Sequence, residues 1–145
     1  EKAPPKYVPD QPQTKPSASI TSKGKKWATN PGVAKNALSQ VNFSCEVNKE
    51  HITFVSRKSG KAFVEAHHLI PMSCQELISV SLDVPSNIVA LCPNCHRLLH
   101  HANDYDVWKT VEFLYKQRGK RLTNAGINVS YAQLKNIYLS DENKQ

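Results

Sequence analysis

The feature that most limits how this chain can fold is a pair of cysteines, Cys92 and Cys95, separated by two residues. In a reducing compartment, where disulfides are rare, this spacing is typical of a zinc site. A structural zinc takes four protein ligands, so the pair needs two more from elsewhere in the chain. It therefore predicts that a distant segment is tied to residues 92–95 by a metal ion.

The two missing zinc ligands are predicted from spacing. Cys45 lies in a segment where a second C-x2-C pair would place a cysteine at position 48, which is an asparagine. His51 is the replacement we favour, because a neutral imidazole is an ordinary zinc ligand. Cys74 is the rival fourth ligand, although a free cysteine buried beside the loop as a small hydrophobe explains it better. The predicted structural zinc site is thus Cys45, His51, Cys92 and Cys95.

Length and composition indicate one modest domain with tails, since the chain has 145 residues and 39% hydrophobic content. No apolar run approaches the ~18 residues of a membrane span, and no leader resembles a signal peptide. We expect a soluble, cytoplasmic protein without a membrane partner. Because the chain begins at Glu1 rather than Met, we also expect it to be one domain of a longer protein.

The charge pattern favours a polyanionic partner. The net charge is +7, with +5 in residues 1–40, +2 in 41–62, −4 in 63–106 and +4 in 107–145. A mildly acidic, histidine-rich centre between basic flanks suits a cation site served by phosphate-binding arms. Lysine-rich flanks that are merely solvated explain the same pattern equally well.

The two ends of the chain differ in composition from its middle. Residues 1–40 are predicted to form a Pro/Lys-rich linker or strap that ends in a short helix at 32–40. Residues 105–145 are predicted to form a C-terminal helical extension, with one helix at 105–117 and another at 131–139.

Residues 41–104 are predicted to hold the core. Two β-rich runs at 52–56 and 62–69, separated by a basic turn, predict a hairpin. A loop with a short helical turn around 75–80 leads to an apolar strand at 87–91. A helix is then predicted to begin at Pro93.

Four histidines in this core predict a metal site. His67 and His68 end the strand and point to opposite faces, so they need separate roles. His96 and His100 are four residues apart and share one helix face, where both can bind one ion that His67 closes from the strand. His68 stays free to take a proton from water, since an unperturbed histidine has a pKa of about 6.5. These parts suit phosphodiester hydrolysis.

Two segments carry a resemblance to a known family. Residues 65–71, EAHHLIP, and residues 87–100, NIVALCPNCHRLLH, resemble HNH endonucleases of the ββα-metal superfamily, especially zinc-bound restriction and phage-defence members. The resemblance covers about residues 43–102. It implies an α+β fold, with a ββα-metal core stapled by a structural zinc and flanked by helices.

The resemblance also implies an activity and residue roles. The implied enzyme is a metal-dependent DNA endonuclease of a restriction or antiviral defence protein, which leaves 5′-phosphate and 3′-hydroxyl ends. His68 is implied as the general base, His67 and His96 as catalytic metal ligands, and His100 as a third. Asn87 is implied to fix the orientation of the base through backbone hydrogen bonds. We expect Mg2+, because substrate phosphate supplies oxygen ligands, with Mn2+, Ni2+ or Zn2+ as substitutes.

Basic residues are candidates for DNA contacts, which give salt-dependent affinity rather than sequence choice. The candidates are Lys25, Lys26, Arg57, Lys58, Lys61, Arg97, Arg118, Lys120 and Arg121. Other domains or defence-system subunits are expected to supply target choice. One active site per chain makes a double-strand cut depend on a homodimer or on two sequential nicks.

Two other functions fit part of the sequence. A non-catalytic zinc-stabilised nucleic-acid-binding module would use the basic flanks, and a redox or metal sensor would use the cysteine pair.

Glu65 is predicted to orient or bind the metal, or to be solvated. Tyr138 is predicted to belong to the core.

Overall fold

A computed structural model describes residues 3–139, so the extreme ends of the predicted strap and helical extension, 1–2 and 140–145, lie outside the described residues. The described part is of α+β type. Two 3-10 turns, Met72–Leu77 and Pro85–Asn87, connect its core elements. Its strands and helices are β1 (Ala18–Thr21), β2 (Gly24–Trp27), α1 (Pro31–Gln40), β3 (Glu65–His68), β4 (Ile88–Leu91), α2 (Pro93–His101), α3 (Asp104–Asn124) and α4 (Tyr131–Leu139).

A ββα unit forms the centre of the molecule. β3 pairs antiparallel with β4, and the register sets His67 opposite Val89 and His68 opposite Ile88. β4 is buried along its whole length, as its unbroken apolar sequence predicts. Helix α2 begins at Pro93 as predicted, since a proline at the first helical position loses no hydrogen bond.

The predicted hairpin is wrong in extent. The run 52–56 forms no strand, and a single bridge joins Val55 to Ala62. Ile52, Phe54 and Val55 are 95%, 65% and 67% exposed. Apart from the stacking of Phe54 on Phe63, with ring centroids 4.9 Å apart, these side chains bury little apolar surface, and propensity in sheets depends on such packing. Only residues 65–68, which pair with β4, form a regular strand.

Helices α1 and α3 pack around the central sheet and cover its core. Leu114 and Val111 of α3 are fully buried, and α3 extends beyond the predicted residue 117 because Arg118 and Leu122 continue its buried stripe. α4 is confirmed at its predicted position. Its capping box is present, with Ser130 Oγ accepting from Gln133 N at 3.1 Å. No helix within residues 3–139 is both long and apolar enough to span a membrane.

The N-terminal segment lies along the surface of this core. Lys6 N donates to Gly32 O at 2.8 Å, and Ser81 N donates to Gln13 O at 2.8 Å. A Cβ at Gly32 would clash with the Pro4 carbonyl, so only glycine allows the strap to pass here. The exposed ribbon formed by β1 and β2 was not predicted, because its strands have no buried face and so no alternating apolar pattern.

Candidate functional site

One cluster joins the loop before β3 to the start of α2. Cys45, His51, Cys92 and Cys95 each offer a ligand atom, and these four atoms lie within 4.8 Å of one another. His51 Nδ1 is 3.6 Å from Cys92 Sγ and 3.5 Å from Cys95 Sγ. Three sulfurs and one imidazole nitrogen are a donor set that fits tetrahedral zinc. Cys74 does not belong to this cluster and packs beside the hydrophobic core.

The electrostatics of this cluster also suit a cation. Burial raises the pKa of Cys45, but backbone hydrogen bonds from Cys92 and nearby residues outweigh it and lower that pKa to about 7. Burial and the neighbouring sulfurs of Cys92 and Cys45 raise the pKa of Cys95. Three thiolates packed together therefore repel one another unless a metal ion neutralises them.

A second cluster lies between β3 and α2. His67, His96 and His100 offer ring nitrogens that lie within 4.8 Å of one another. The ring centroids of His67 and His96 are 5.2 Å apart, and those of His96 and His100 are 5.1 Å apart. The i, i+4 spacing on α2 accounts for the second distance, because such residues share a helix face. This arrangement can hold one divalent ion.

Neighbouring groups fix which nitrogen is open on two rings of this cluster, His67 and His96. Tyr138 donates its hydroxyl proton to Leu69 O, so its oxygen accepts from His67 Nε2 at 2.8 Å and leaves Nδ1 open. Glu65 accepts from His96 Nδ1 at 2.9 Å and leaves Nε2 open. Both contacts have the form that orients metal-binding imidazoles.

Two histidines of this cluster, His67 and His100, have a lowered pKa. Burial, with the proximity of His96 and His100, lowers the pKa of His67 to about 3. Burial and His96 also lower the pKa of His100. A neutral imidazole is the form that binds a metal ion, so the lowered pKa values favour the ligating form of these two rings.

His68 is half-buried and points away from that cluster, as the alternation of β3 requires. It is not free on both sides, because its Nε2 lies 2.9 Å from Asp83 Oδ1. Sequence reasoning missed Asp83, which is 15 residues further along in an irregular loop. Spacing alone carries no signal for such a contact.

Asn87 is fully buried and bridges two segments. Its Oδ1 accepts from Ile70 N at 2.8 Å, and its Nδ2 donates to Ile70 O at 3.0 Å and to Leu82 O at 2.9 Å. The side chain thus joins the chain just after His68 to the loop that carries Asp83.

The predicted DNA-contacting residues separate into two groups. Arg118 is only 4% exposed and cannot reach a phosphate, because it pairs with Glu46 and donates to backbone oxygens including Pro85 O at 2.7 Å. Arg121 is half-buried and held by Asp10 at 2.6 Å, so it too is engaged within the fold. The remaining candidates are exposed: Lys25, Lys26, Arg57, Lys58, Lys61, Arg97 and Lys120.

Among these exposed candidates, Arg97 lies beside the histidine cluster. It lines the same open cleft as Glu65, His96 and His100. Lys25 is partly occupied by an ion pair with Glu76 at 2.6 Å, although both side chains remain exposed.

Comparison with known proteins gives two matches. Residues 46–102 match the sequence profile of a family described as HNH endonuclease. A stretch of 91 residues is 35% identical to the type IV methyl-directed restriction enzyme EcoKMcrA of Escherichia coli strain K12. That alignment covers 63% of this chain and 30% of the relative, so the chain spans about a third of the relative's length.

Proposed function

From the match of residues 46–102 to the HNH endonuclease profile and the likeness to a restriction enzyme, we propose that this chain is a metal-dependent DNA endonuclease with His68 as the general base. The main support for this proposal is the position of four histidines around β3. His67, His96 and His100 converge on one side of β3, while His68 lies on the other face beside them. A cation site and a separate base on the neighbouring residue of the same strand are the parts that phosphodiester hydrolysis requires.

His67, His96 and His100 would hold the divalent cation. When bound, it neutralises the charge that develops on the scissile phosphate in the transition state. The donor set consists of three imidazoles, which suit Mn2+, Ni2+ or Zn2+. Mg2+ fits if substrate phosphate and water supply the remaining oxygen ligands, and we propose it as the ion used in the cell.

The chain's own residues then divide the remaining work. His68 would accept a proton from the attacking water, because its ring is fixed at Nε2 and its other nitrogen is uncommitted. Asn87 would keep the chain around His68 in position through its bonds to Ile70 and Leu82. Arg97 would bind a phosphate of the DNA from the cleft.

The cysteine cluster would hold a structural zinc. Cys45, His51, Cys92 and Cys95 join the loop before β3 to the first turn of α2, the helix that carries two of the catalytic histidines. A bound zinc would fix that helix relative to the sheet, since metal binding at such sites stabilises the folded state directly.

The wider role proposed is that of the nuclease part of a restriction or antiphage defence protein. The support is the likeness to a relative named as a methyl-directed restriction enzyme. Because the chain spans about a third of that relative, other segments or partners would supply target choice. The resemblance implies 5′-phosphate and 3′-hydroxyl products.

Plasmid cleavage tests the proposal. Supercoiled DNA is incubated with the protein, with or without Mg2+ or Mn2+, and with His68→Ala. We expect nicking only with added cation, and a loss of about 10²-fold or more in His68→Ala. Zinc content should be the same in both proteins. DNA binding without cleavage under any cation would refute the proposal and favour a non-catalytic binding module.

A further inference from the structure

Asp83 contacts the proposed general base through a nearly buried carboxylate. Its Oδ1 lies 2.9 Å from His68 Nε2, and its side chain is 8% exposed against 22% for His68. We infer that Asp83 is a positioning residue that holds His68 as the tautomer able to accept a proton from water. This inference rests on the proposed role of His68.

The chemistry of the contact decides the tautomer. An ionised carboxylate can only accept hydrogen bonds, so His68 must donate from Nε2. A neutral imidazole carries one N–H, and its lone pair is therefore on Nδ1, the nitrogen that faces away from Asp83. When water gives its proton to Nδ1, the ring becomes a cation, and the adjacent carboxylate stabilises it.

The second oxygen of Asp83 is fixed as well. Its Oδ2 accepts from Asn30 N at 2.7 Å, and the Asn30 side chain caps α1 by accepting from Gly32 N at 2.8 Å. On the other side, Asn87 holds Leu82 O at 2.9 Å, one residue before Asp83. The carboxylate is thus fixed between the start of α1 and the loop that Asn87 anchors.

This arrangement gives the N-terminal segment a part in the active site. Asn30 lies outside residues 46–102, the region that matches the family profile. Asn87 bonds to Leu82 O, and the next residue, Asp83, contacts the proposed base His68. A positioning role for Asp83 explains why a nearly buried acid faces a histidine that binds no metal in our proposal.

Asp83→Asn tests the inference with little change in shape. The new amide oxygen can still accept from Asn30 N, but its NH2 group would donate to His68 Nε2 and select the opposite tautomer. We expect kcat for plasmid nicking to fall by about 10²-fold with KM for DNA unchanged. Asp83→Glu, which keeps a carboxylate, should recover part of this kcat.

A double-mutant cycle separates positioning from a merely structural role. In a His68→Ala background, Asp83→Asn should change the residual rate by less than about twofold, because the group it acts through is gone. Asp106→Asn, which removes an exposed carboxylate at the start of α3, is the matched control and should cleave normally.

Three results would overturn the inference: an unchanged kcat in Asp83→Asn, equal losses in both backgrounds, or equal kcat in the Asn and Glu variants. Full cleavage by His68→Ala is a different outcome, because it refutes the proposed general base itself. Unfolding midpoints and zinc content, measured for every variant, confirm that rates are compared between folded proteins.

Discussion

At the scale of single residues, a hydrogen bond to one ring nitrogen orients three of the site's histidines. Tyr138 contacts His67 Nε2, Glu65 contacts His96 Nδ1 and Asp83 contacts His68 Nε2. In each case the opposite nitrogen would serve the proposed metal or proton. A role for Glu65 near the metal was predicted from the sequence, but its contact with His96 and the contacts of Tyr138 and Asp83 do not follow from spacing, because they join residues 15 to 71 positions apart.

Tyr138→Phe should weaken metal activation. The variant removes the oxygen that accepts from His67 Nε2, so the ring loses its fixed tautomer and orientation. We expect the Mn2+ concentration for half-maximal nicking to rise by about 10-fold or more, with activity recovered at high metal.

Tyr115→Phe is the matched control, because it removes a buried hydroxyl bonded to Val129 O away from the histidines. Its metal dependence should equal that of the wild type. An equal shift in both variants would mean that Tyr138 acts only through stability.

Arg118 was predicted to bind DNA and instead supports the core. Arg118→Met should destabilise the fold, because it leaves Glu46 and the backbone oxygens of Pro85, Ser86 and Ile88 without their donor. Breaking a buried pair in this way costs about 3–5 kcal/mol. Urea unfolding measures the loss.

Lys120→Ala provides the comparison for Arg118→Met. It removes an exposed cation from the same helix, so the free energy of unfolding should change by less than about 0.5 kcal/mol. Similar stability in both variants would contradict a structural role for Arg118.

At the scale of elements, sequence reasoning succeeded where burial and local chemistry agree. β4 and α2 were predicted because an apolar strand, a proline at the first helical turn and paired cysteines all point to the same structure. The run 52–56 has a similar β propensity, but its apolar side chains stay largely exposed, so it forms no regular strand.

Zinc removal tests whether the cysteine cluster holds α2 against the loop before β3. We expect one zinc per chain, and a chelator should lower the melting temperature because α2 loses its tie to the loop before β3. Cys95→Ala should show the same loss. Cys74→Ala is the control, since that thiol lies outside the cluster and should retain the metal. Full zinc binding by Cys95→Ala would contradict the proposed site.

At the scale of the whole molecule, a chain of net charge +7 is expected to bind DNA in a salt-dependent way. The composition predicts salt-dependent DNA binding, but it does not predict which basic side chains contact the DNA. Arg118 and Arg121 are adjacent to exposed Lys120, yet their side chains turn inward to Glu46 and Asp10. Burial of an arginine depends on acidic partners that are distant in sequence.

The basic arm, residues 57–61, should contribute to DNA affinity. Replacing Arg57, Lys58 and Lys61 together by alanine removes three exposed cations. The slope of log Kd against log salt should fall by up to about three units, with little change in kcat at saturating DNA.

The triple variant Lys109→Ala, Lys116→Ala and Lys135→Ala removes the same charge from exposed faces of α3 and α4. Its salt dependence should change less than that of the arm variant. Equal changes would indicate that only total charge matters.

Anomalous scattering from crystals grown with Mn2+, measured at the Mn and Zn edges, would show which ion each of the two clusters binds. We expect a manganese peak bonded to His67, His96 and His100 with His68 outside its ligand shell, and a zinc peak among Cys45, His51, Cys92 and Cys95. A histidine cluster without manganese at saturating Mn2+, or an ion bonded to His68, would contradict this expectation.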